Sequence, residues 1–352
     1  MINVLMIGPS RKVHGGISAV VNNLFDAGLD KQVNLRYIAT MEEGNKLHKL
    51  MVAIKAYLAF SKQLEWADVV HVNMASDSSY KRKSLFIRKA HKAGKRIIIH
   101  QHGGNFEHYF RNVLNDSQKG KAKKILNLAD MLIILSPIDE PFFENIVGES
   151  KIQILPNSVK IPSDSAKMYK DYSSQKALFL GRICETKGIS ELIAACDIIH
   201  RDFPEFTLYL GGIFEDSFYE EEVTKRSNYV KYLGWIASDE KEKYLRECNI
   251  FVLPTYFEGQ PVSVLEAMAH SCVVVASNVG GIPMMIQNDV NGILIEAQNI
   301  NSLVSGLVSA LSDSNRSKHL AQNALQTVSS SYSIEKTVED LSSIYKKVLE
   351  ND

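Results

Sequence analysis

The chain has 352 residues, of which 45% are hydrophobic and 23% charged, and its formal net charge at pH 7 is zero. This composition is ordinary for a globular protein, and the length suffices for two domains of about 100 to 200 residues each. No apolar run approaches the roughly 20 residues that a membrane-spanning helix needs. The N-terminal stretch MINVLMIGPS is broken by Gly8 and Pro9 too early for a secretory signal. We therefore expect a cytoplasmic protein with no nucleic-acid partner.

The four cysteines do not indicate a metal site or a disulfide framework. None of them stands in a CxxC spacing, and they are scattered over the second half of the chain. Such a distribution predicts buried thiols. The four residues are Cys184, Cys196, Cys248 and Cys272.

Charge is divided unequally between the two halves of the chain. Residues 1–165 contain 23 Lys and Arg against 15 Asp and Glu, whereas the remainder contains 17 against 25. The basic residues of the first half are either solvated helix faces or a surface for an anionic membrane. The second alternative would attach the protein at the inner face of the plasma membrane. The clusters are Lys81–Lys83, Arg88-Lys89, Lys92, Lys95-Arg96 and Lys119 to Lys124.

Strand and helix patterns alternate along the chain, which predicts an α/β fold with two doubly wound parallel sheets. We expect domains at 1–160 and 161–333, separated within the polar stretch 156–174, and a last helix at 334–352. Apolar spacing predicts helices at 17–28 and 47–64. The strand candidates are 2–7, 69–72, 96–100, 131–135, 176–180, 207–210, 230–233, 250–253 and 273–276.

Two features of the first half are candidate binding positions. Gly15 and Gly16 follow the first strand and open a helix, so the backbone at Gly16 can approach a donor phosphate, although two glycines also suit an ordinary turn. His102 follows the strand that ends near His100. A lone histidine is more often structural, and we interpret His71 and His100 in that way.

A first group of charged candidates follows the strand Leu178–Leu180. Gly181 provides a tight turn, and Arg182 and Lys187 stand five residues apart before the next helix. Arg suits bidentate contacts to oxyanions and Lys supplies a compact charge, so together they can bind a diphosphate. The alternative is that both cations face water.

A second group lies in the segment Tyr256–Ala269. A buried strand ends near Pro254, Glu258 follows in a loop, and Glu266 projects from the next helix about two turns later. Amides at the start of that helix lack intrahelical partners and can bind a diphosphate. Two solvated surface glutamates are the alternative. The candidate binding residues are Gly259, Gln260, Pro261, Val262, Ser263 and Glu266.

Together with a glycine turn after the first strand, these motifs resemble the retaining family 4 glycosyltransferases of GT-B architecture. The similarity runs through nearly the whole chain in the order His102-Gly103, Leu155-Pro156-Asn157, Gly181 to Gly188, Leu233-Gly234-Trp235, Glu258 to Glu266 and Gly280 to Pro283. It implies two Rossmann-like domains facing a cleft, with the last helix at 334–352 packed back on the first domain. It also implies transfer of a hexose-type sugar from a nucleotide-diphosphate sugar, with UDP favoured over GDP, to a glycan acceptor in cell-surface polysaccharide biosynthesis. The basic stretch of the first half favours an acceptor that is lipid-linked and lies at the membrane face.

The resemblance also implies a role for each matched residue. Arg182 and Lys187 would stabilise the departing diphosphate, which takes the acceptor's proton. Glu258 would bind donor sugar hydroxyls, and Glu266 the ribose hydroxyls. His102 would contact the transferred sugar. Gly181, at the tight turn, is a candidate nucleotide-binding residue, and Gly234 and Trp235 would meet the nucleotide base, with core packing as the alternative for Trp235.

No cofactor or metal is expected, because no aspartate pair of the DxD kind stands at a strand end. Met284, Ser271-Cys272 and Ser158 depart from the family pattern. Two other classes of function remain open: a GT-B sugar-nucleotide epimerase or phosphorylase-like enzyme, and a catalytically silent nucleotide-sugar-binding subunit. The intact cationic and acidic positions favour transfer over both.

Overall fold

The computed structural model describes residues 1–103, 105–165, 170–236 and 238–350. The chain divides into two compact units. Unit 1 comprises Met1–Ser158 together with the C-terminal helix, and unit 2 comprises Val159–Ser333. Residues 166–169 of the expected connecting stretch lie outside the described residues.

Unit 1 contains a parallel sheet with the strand order β2-β1-β3-β4-β5-β6 among its described residues. The central strands β3 and β5 are buried along their whole length, as expected for a parallel sheet covered on both faces. The strands are β1 Asn3–Gly8, β2 Asn34–Ala39, β3 Val69–Met74, β4 Arg96–Gln101, β5 Met131–Ile134 and β6 Ile152–Ile154. The helices that precede β6 are α1 Gly16–Asp26, α2 Leu29–Gln32, α3 Lys46–Gln63, α4 Asp77–Lys92, α5 Phe106–His108, α6 Asp116–Leu126 and α7 Glu140–Val147.

Unit 2 contains a second parallel sheet, in the order β9-β8-β7-β10-β11-β12 among its described residues. This is the strand order of a dinucleotide-binding fold. The first three strands of the unit follow one another outward from β7 in one direction, and the last three follow one another outward from β10 in the opposite direction. The strands are β7 Lys176–Leu180, β8 Thr207–Gly211, β9 Val230–Gly234, β10 Ile250–Leu253, β11 Val273–Ser277 and β12 Ile293–Ile295. The helices are α8 Ile189–Asp202, α9 Ser217–Thr224, α10 Ser238–Glu247, α11 Val262–Ala269, α12 Ile282–Met285, α13 Ile300–Ser312 and α14 Ser314–Ser331.

The predicted α/β class is confirmed, and so are the nine predicted strands to within two residues at each end. Three strands, β2, β6 and β12, were not predicted. β2 mixes exposed and half-buried positions at the edge of its sheet, and β6 and β12 have only three residues each. Such short or partly solvated edges give a weak hydrophobic pattern.

The final helix, α15 Ile334–Glu350, packs against α1 and α2 of unit 1. Its fully buried Tyr345 places the hydroxyl 2.8 Å from Nδ1 of His71 on β3. A second buried polar group lies nearby in the same unit, since the Lys83 ammonium donates a 2.6 Å hydrogen bond to the carbonyl of Asn73. Lys83 is fully buried, so its inclusion in the basic surface cluster was wrong.

All four cysteines are buried free thiols, as predicted. Over the residues that the structure describes, no helix is both long and apolar enough to cross a bilayer. The same residues include no group of three or more His, Cys, Asp or Glu arranged to hold a metal ion.

We expect acid to destabilise unit 1 through His71. Burial lowers the pKa of His71 to about 3, whereas an unfolded histidine has a pKa near 6.5. Between these values the unfolded state binds more protons than the folded state, so the free energy of unfolding falls as the pH falls. The contribution of this group is up to about 1.4 kcal/mol per pH unit.

Urea unfolding between neutral pH and mild acid checks this expectation. The chain has two tryptophans, so in a Trp235→Phe background the fluorescence of Trp66 follows unit 1. The His71→Gln variant lacks this imidazole, so its free energy of unfolding should fall less steeply as the pH falls. The difference in slope should correspond to the uptake of about one proton. Equal slopes in the two proteins would contradict the assignment.

Candidate functional site

The loops that follow β7 and β10 meet at the point where the strand order of unit 2 reverses. In open α/β sheets this is the place where ligands bind, outside the carboxyl ends of the strands. The amide of Tyr256 donates to the carbonyl of Thr186 at 2.9 Å, and the Thr255 hydroxyl lies 3.2 Å from the same oxygen. Both predicted charged segments therefore converge at this switch point.

Gly188 makes this convergence possible. Its φ of 69° lies in the left-handed region, and a Cβ there would lie 2.0 Å from the carbonyl oxygen of Pro254. A side chain would thus both strain the backbone and separate the two loops. Gly188, the last residue of the Gly181 to Gly188 motif, is therefore required by this close approach.

Lys187 and Glu258 form an ion pair across the two loops. Their side chains are only 14% and 20% exposed, so the charges face each other with little solvent between them. A cation and a carboxylate side by side suit a ligand that carries a phosphate next to hydroxyl groups. The structure therefore brings together two residues that the sequence placed in separate motifs.

The segment Gly280-Gly281 lies directly against the Glu258 loop. A Cβ on Gly280 would lie 1.8 Å from the carbonyl oxygen of Glu258, and one on Gly281 would lie 1.8 Å from that of Gly259. The Gly281 amide also donates to the Glu258 carbonyl at 3.2 Å. These glycines hold the loop that carries the candidate carboxylate.

Helix α11 begins directly after Pro261, and its first amides, those of Val262 and Ser263, are of the type that lacks an intrahelical acceptor. Glu266, farther along the helix, binds the ammonium of Lys241 on α10 at 2.5 Å. Lys241 was missed in the sequence. It stands in the run SDEKEKYLRE, whose alternating charges are typical of a solvated helix face.

The carboxyl ends of β7, β8 and β9 are held together by backbone contacts between glycines. The amide of Gly181 donates to the Gly211 carbonyl at 3.0 Å, and that of Gly212 donates to the Gly234 carbonyl at 2.8 Å. A Cβ on Gly212 would lie 1.8 Å from the carbonyl oxygen of Gly181. The result is an edge where a ligand can approach main-chain atoms closely.

Two candidates next to these glycines, Arg182 and Trp235, lie at the surface. Arg182 is largely exposed and pairs with Glu215 at 2.6 Å. Trp235 follows Gly234 and is 42% exposed, so the alternative that it packs in the core is wrong. Ion pairing of Arg182 could not be foreseen, because Glu215 lies beyond the next strand in a segment without a motif.

In unit 1, His102 lies just past the end of β4. Its Nε2 is 2.7 Å from the Asn73 side-chain oxygen, and its ring lies 3.9 Å from that of His100 between centroids. Burial lowers the pKa of His102 to about 3. The imidazole is therefore neutral at pH 7 and can act as a hydrogen-bonding group without a charge.

The strand order of unit 1 reverses between β1 and β3, and a cavity of about 320 Å³ opens there. Arg82 and Lys49 supply cations to its lining, and Thr40 and Ser79 supply hydroxyls. Gly16 is the first residue of α1 and precedes Ile17, which lines the cavity. A Cβ on Gly16 would meet no atom within 4 Å. Packing therefore does not explain why glycine stands at that position.

Comparison with known proteins identifies the region that carries the unit 2 site. Residues 161–327 match the family described as glycosyl transferases group 1. An uncharacterized glycosyltransferase of Methanocaldococcus jannaschii is 31% identical over 178 residues, which is 49% of this chain and 45% of that protein. The chain thus spans less than half the length of that relative.

A second relative aligns over nearly the whole chain. The UDP-Gal:alpha-D-GlcNAc-diphosphoundecaprenol alpha-1,3-galactosyltransferase of Escherichia coli is 23% identical over 342 residues, covering 92% of this chain and 86% of that protein. A Campylobacter jejuni enzyme named N,N'-diacetylbacillosaminyl-diphospho-undecaprenol alpha-1,3-N-acetylgalactosaminyltransferase is 34% identical over 149 residues, or 42% of this chain and 39% of its own.

Solved structures agree on the fold. Sucrose-phosphate synthase from Thermosynechococcus elongatus superimposes with a TM-score of 0.78 at 18% identity, covering 100% of both chains. Anabaena Alr3699/HepE in complex with UDP-glucose gives 0.76 at 17% identity, covering 99% of this chain and 100% of that one. The GT-B fold predicted from the motifs is confirmed, and the match of residues 161–327 to the glycosyl transferases group 1 family agrees with the resemblance that the motifs indicated.

Proposed function

We propose that this protein is a retaining hexosyltransferase that uses a UDP-sugar donor and a lipid-linked glycan acceptor in cell-surface polysaccharide biosynthesis. The observation that carries the proposal is the partly buried Lys187–Glu258 ion pair at the switch point of unit 2. The family match supports glycosyl transfer, and the name of the Escherichia coli relative supports a UDP-linked donor and a diphospholipid acceptor.

On the donor side, the ion pair fits the junction between a sugar and its diphosphate. Lys187, with Arg182 and the first amides of α11, stabilises the negative charge that develops on the departing diphosphate. Glu258, adjacent to Lys187, accepts hydrogen bonds from the sugar hydroxyls. Such charge stabilisation by fixed groups acts most strongly where water is excluded, and the low exposure of both partners meets this condition.

The chemical step follows from this assignment and needs no protein nucleophile. The acceptor hydroxyl oxygen forms a bond to the anomeric carbon while the bond from that carbon to the diphosphate oxygen breaks. The hydroxyl proton passes to the leaving diphosphate on the same face of the sugar, which retains the configuration. The relatives from Escherichia coli and Campylobacter jejuni carry α linkages in their printed names, which supports a retaining enzyme.

The nucleotide is held on the side of β8, β9 and α11. Glu266 binds the ribose hydroxyls, and its partner Lys241 acts as a positioning residue that fixes the carboxylate. The base lies against Gly234 and Trp235, while Gly181 lets the donor approach the main chain. The Gly259-Gln260-Pro261 turn leads into the diphosphate-binding amides.

Acceptor recognition belongs to unit 1 in this proposal. The cavity between β1 and β3 offers Arg82 and Lys49 for the phosphates of a diphospholipid, and Gly16 leaves the adjacent backbone open. Neutral His102 contacts the transferred sugar, and its hydrogen bond with Asn73 orients the ring. A sugar-nucleotide epimerase or a silent binding subunit is less favoured, because neither needs this acceptor machinery. Product analysis with donor alone separates the epimerase from the transferase.

Replacing either cation should abolish most turnover. Lys187→Ala and Arg182→Ala each remove charge from the leaving group, and we expect kcat to fall about a hundredfold or more. Lys225→Ala is the matched control, because Lys225 is an exposed cation of unit 2 that pairs with Glu222. Rates are measured on protein whose thermal unfolding confirms the fold. Near-normal kcat in both cation variants would remove the diphosphate assignment.

Substitution of Glu258 should impair turnover, whereas substitution of Glu266 should impair nucleotide binding. Glu258→Gln should lower kcat while leaving the affinity for free UDP within about threefold of the wild type, because its contacts are to the sugar. Glu266→Ala should weaken UDP binding about tenfold or more, because it removes charged hydrogen bonds to the ribose. Calorimetric titration with UDP distinguishes them. Equal weakening by both substitutions would show that the roles are not divided in this way.

Turnover should not need a divalent metal. Lys187, Arg182 and the α11 amides supply the positive charge that a bound metal would otherwise offer to the diphosphate. The measurement is kcat after exhaustive treatment with EDTA, with Mg²⁺ added back as the control. Loss of activity on chelation and its recovery with Mg²⁺ would count against the mechanism.

A further inference from the structure

Helix α3 has two apolar faces, and only one of them packs against the rest of unit 1. The packed face carries Ala56 and Phe60, which are buried. The Phe60 ring meets Phe86 of α4 edge to face, with 5.1 Å between the centroids. The side chain of Tyr57 also contacts Phe86, at 5.5 Å. These contacts fix α3 beside α4.

The opposite face of α3 is an apolar stripe open to solvent. Its five members are each between 46 and 66% exposed. At about 100° per residue they fall within an arc of about 100°, centred away from Ala56 and Phe60. Each other α-helix among the described residues exposes at most one large apolar side chain. We call this set the α3 stripe: Leu47, Leu50, Met51, Ile54 and Leu58.

Positive charge surrounds the stripe. Helix α3 contains four lysines and no acidic residue, and α4 contains six Lys and Arg, of which Lys83 is buried, with Asp77 as its one acidic residue. Without Lys83, the nine cations of these two helices against one acidic residue still account for the positive excess of residues 1–165. Lys55 and Lys62 lie on one flank of the stripe, and their long stems can extend along an apolar surface while the ammonium groups stay in water.

A cationic groove runs between the two helices next to the stripe. It has a volume of about 690 Å³, and Arg88, Lys89 and Lys92 of α4 line one side. Lys89 also lies over the ring of Tyr57, 4.7 Å from its centroid. Leu85, which is 55% exposed, continues the apolar surface of α3 onto α4. Apolar side chains that could insert into lipid thus lie beside cations that could bind phosphate.

We propose that the α3 stripe and the α3–α4 groove are the surface by which the protein docks on an anionic lipid bilayer. The stripe enters the boundary between headgroups and acyl chains with α3 parallel to the membrane, and the groove cations bind lipid phosphates. An exposed apolar stripe flanked by lysines is the pattern of interfacial helices. The inference rests on the proposed work on a lipid-linked acceptor, but it specifies insertion as well as charge attraction.

Vesicle sedimentation tests the proposal without any need for turnover. The wild type should sediment with vesicles of phosphatidylcholine and phosphatidylglycerol in equal parts. High salt should weaken this binding but not abolish it, because the apolar part is not screened. The triple variant Leu50→Gln, Ile54→Gln, Leu58→Gln should partition at least about tenfold more weakly. These side chains are exposed, so the variant should fold like the wild type.

Two control variants separate the specific surface from general hydrophobicity and charge. Val113→Gln with Ile138→Gln removes apolar groups of similar exposure, 58 and 54%, from other elements of unit 1 and should leave binding unchanged. Arg88→Gln, Lys89→Gln and Lys92→Gln should weaken binding. The same charge change at Lys225, Lys231 and Lys318 of unit 2 should weaken it much less.

The depth of insertion is measured with Leu58→Trp in a background of Trp66→Phe and Trp235→Phe. The emission of this single-tryptophan variant should shift to the blue on vesicles and be quenched by brominated acyl chains.

No sedimentation of the wild type, equal binding by the stripe variant, or an unshifted emission from the Leu58→Trp variant would each overturn the proposal. A wild-type dimer that the stripe variant converts to monomer, without vesicle binding, would assign the stripe to a second copy of the chain instead. UDP titration of the same variants should be unchanged, which keeps this outcome separate from that of the proposed function.

Discussion

The candidate site of unit 2 depends on the close contact between the loops after β7 and β10. Gly188 lies against the carbonyl of Pro254, and Thr186 accepts a hydrogen bond from the Tyr256 amide. The Lys187–Glu258 ion pair joins the same loops, but a pair with so little exposure gains little net stability after its desolvation cost. The backbone contact, rather than the ion pair, therefore holds the loops together.

Glycines extend the same constraint across the sheet edge. Gly212 touches the carbonyl of Gly181, and Gly280 and Gly281 touch those of Glu258 and Gly259, each at a distance that no Cβ would tolerate. Such contacts bring main-chain segments together without side chains between them. The edge is consequently lined by backbone groups and a few fixed charges, which is a suitable arrangement for binding a diphosphate.

The sequence predicted the fold, and the location of the motifs directly after buried strands, because both depend on local pattern. Buried strands such as β7 and β10 are short apolar runs, and a glycine turn or a loop carboxylate follows each of them directly. Ion-pair partners could not be predicted in this way. Glu215 and Lys241 stand in charged segments that look solvated, and their choice of Arg182 and Glu266 depends on how distant elements pack. The same is true of Lys83, whose burial reverses the meaning of its charge.

Helix α3 shows a further limit of hydrophobic periodicity. Its apolar spacing correctly predicted a helix, and such a face normally packs against the core. Here the buried contact is made by Ala56 and Phe60, while the longer run of Leu, Ile and Met residues faces outward. Periodicity identifies an apolar face but not what covers it. The absence of acidic residues in α3 is the additional signal in the sequence, because an outward apolar stripe among lysines alone is matched chemically by an anionic bilayer. The positive excess of the first half, which composition alone could assign only to solvated helices or to a membrane, thus becomes specific when it is located on α3 and α4.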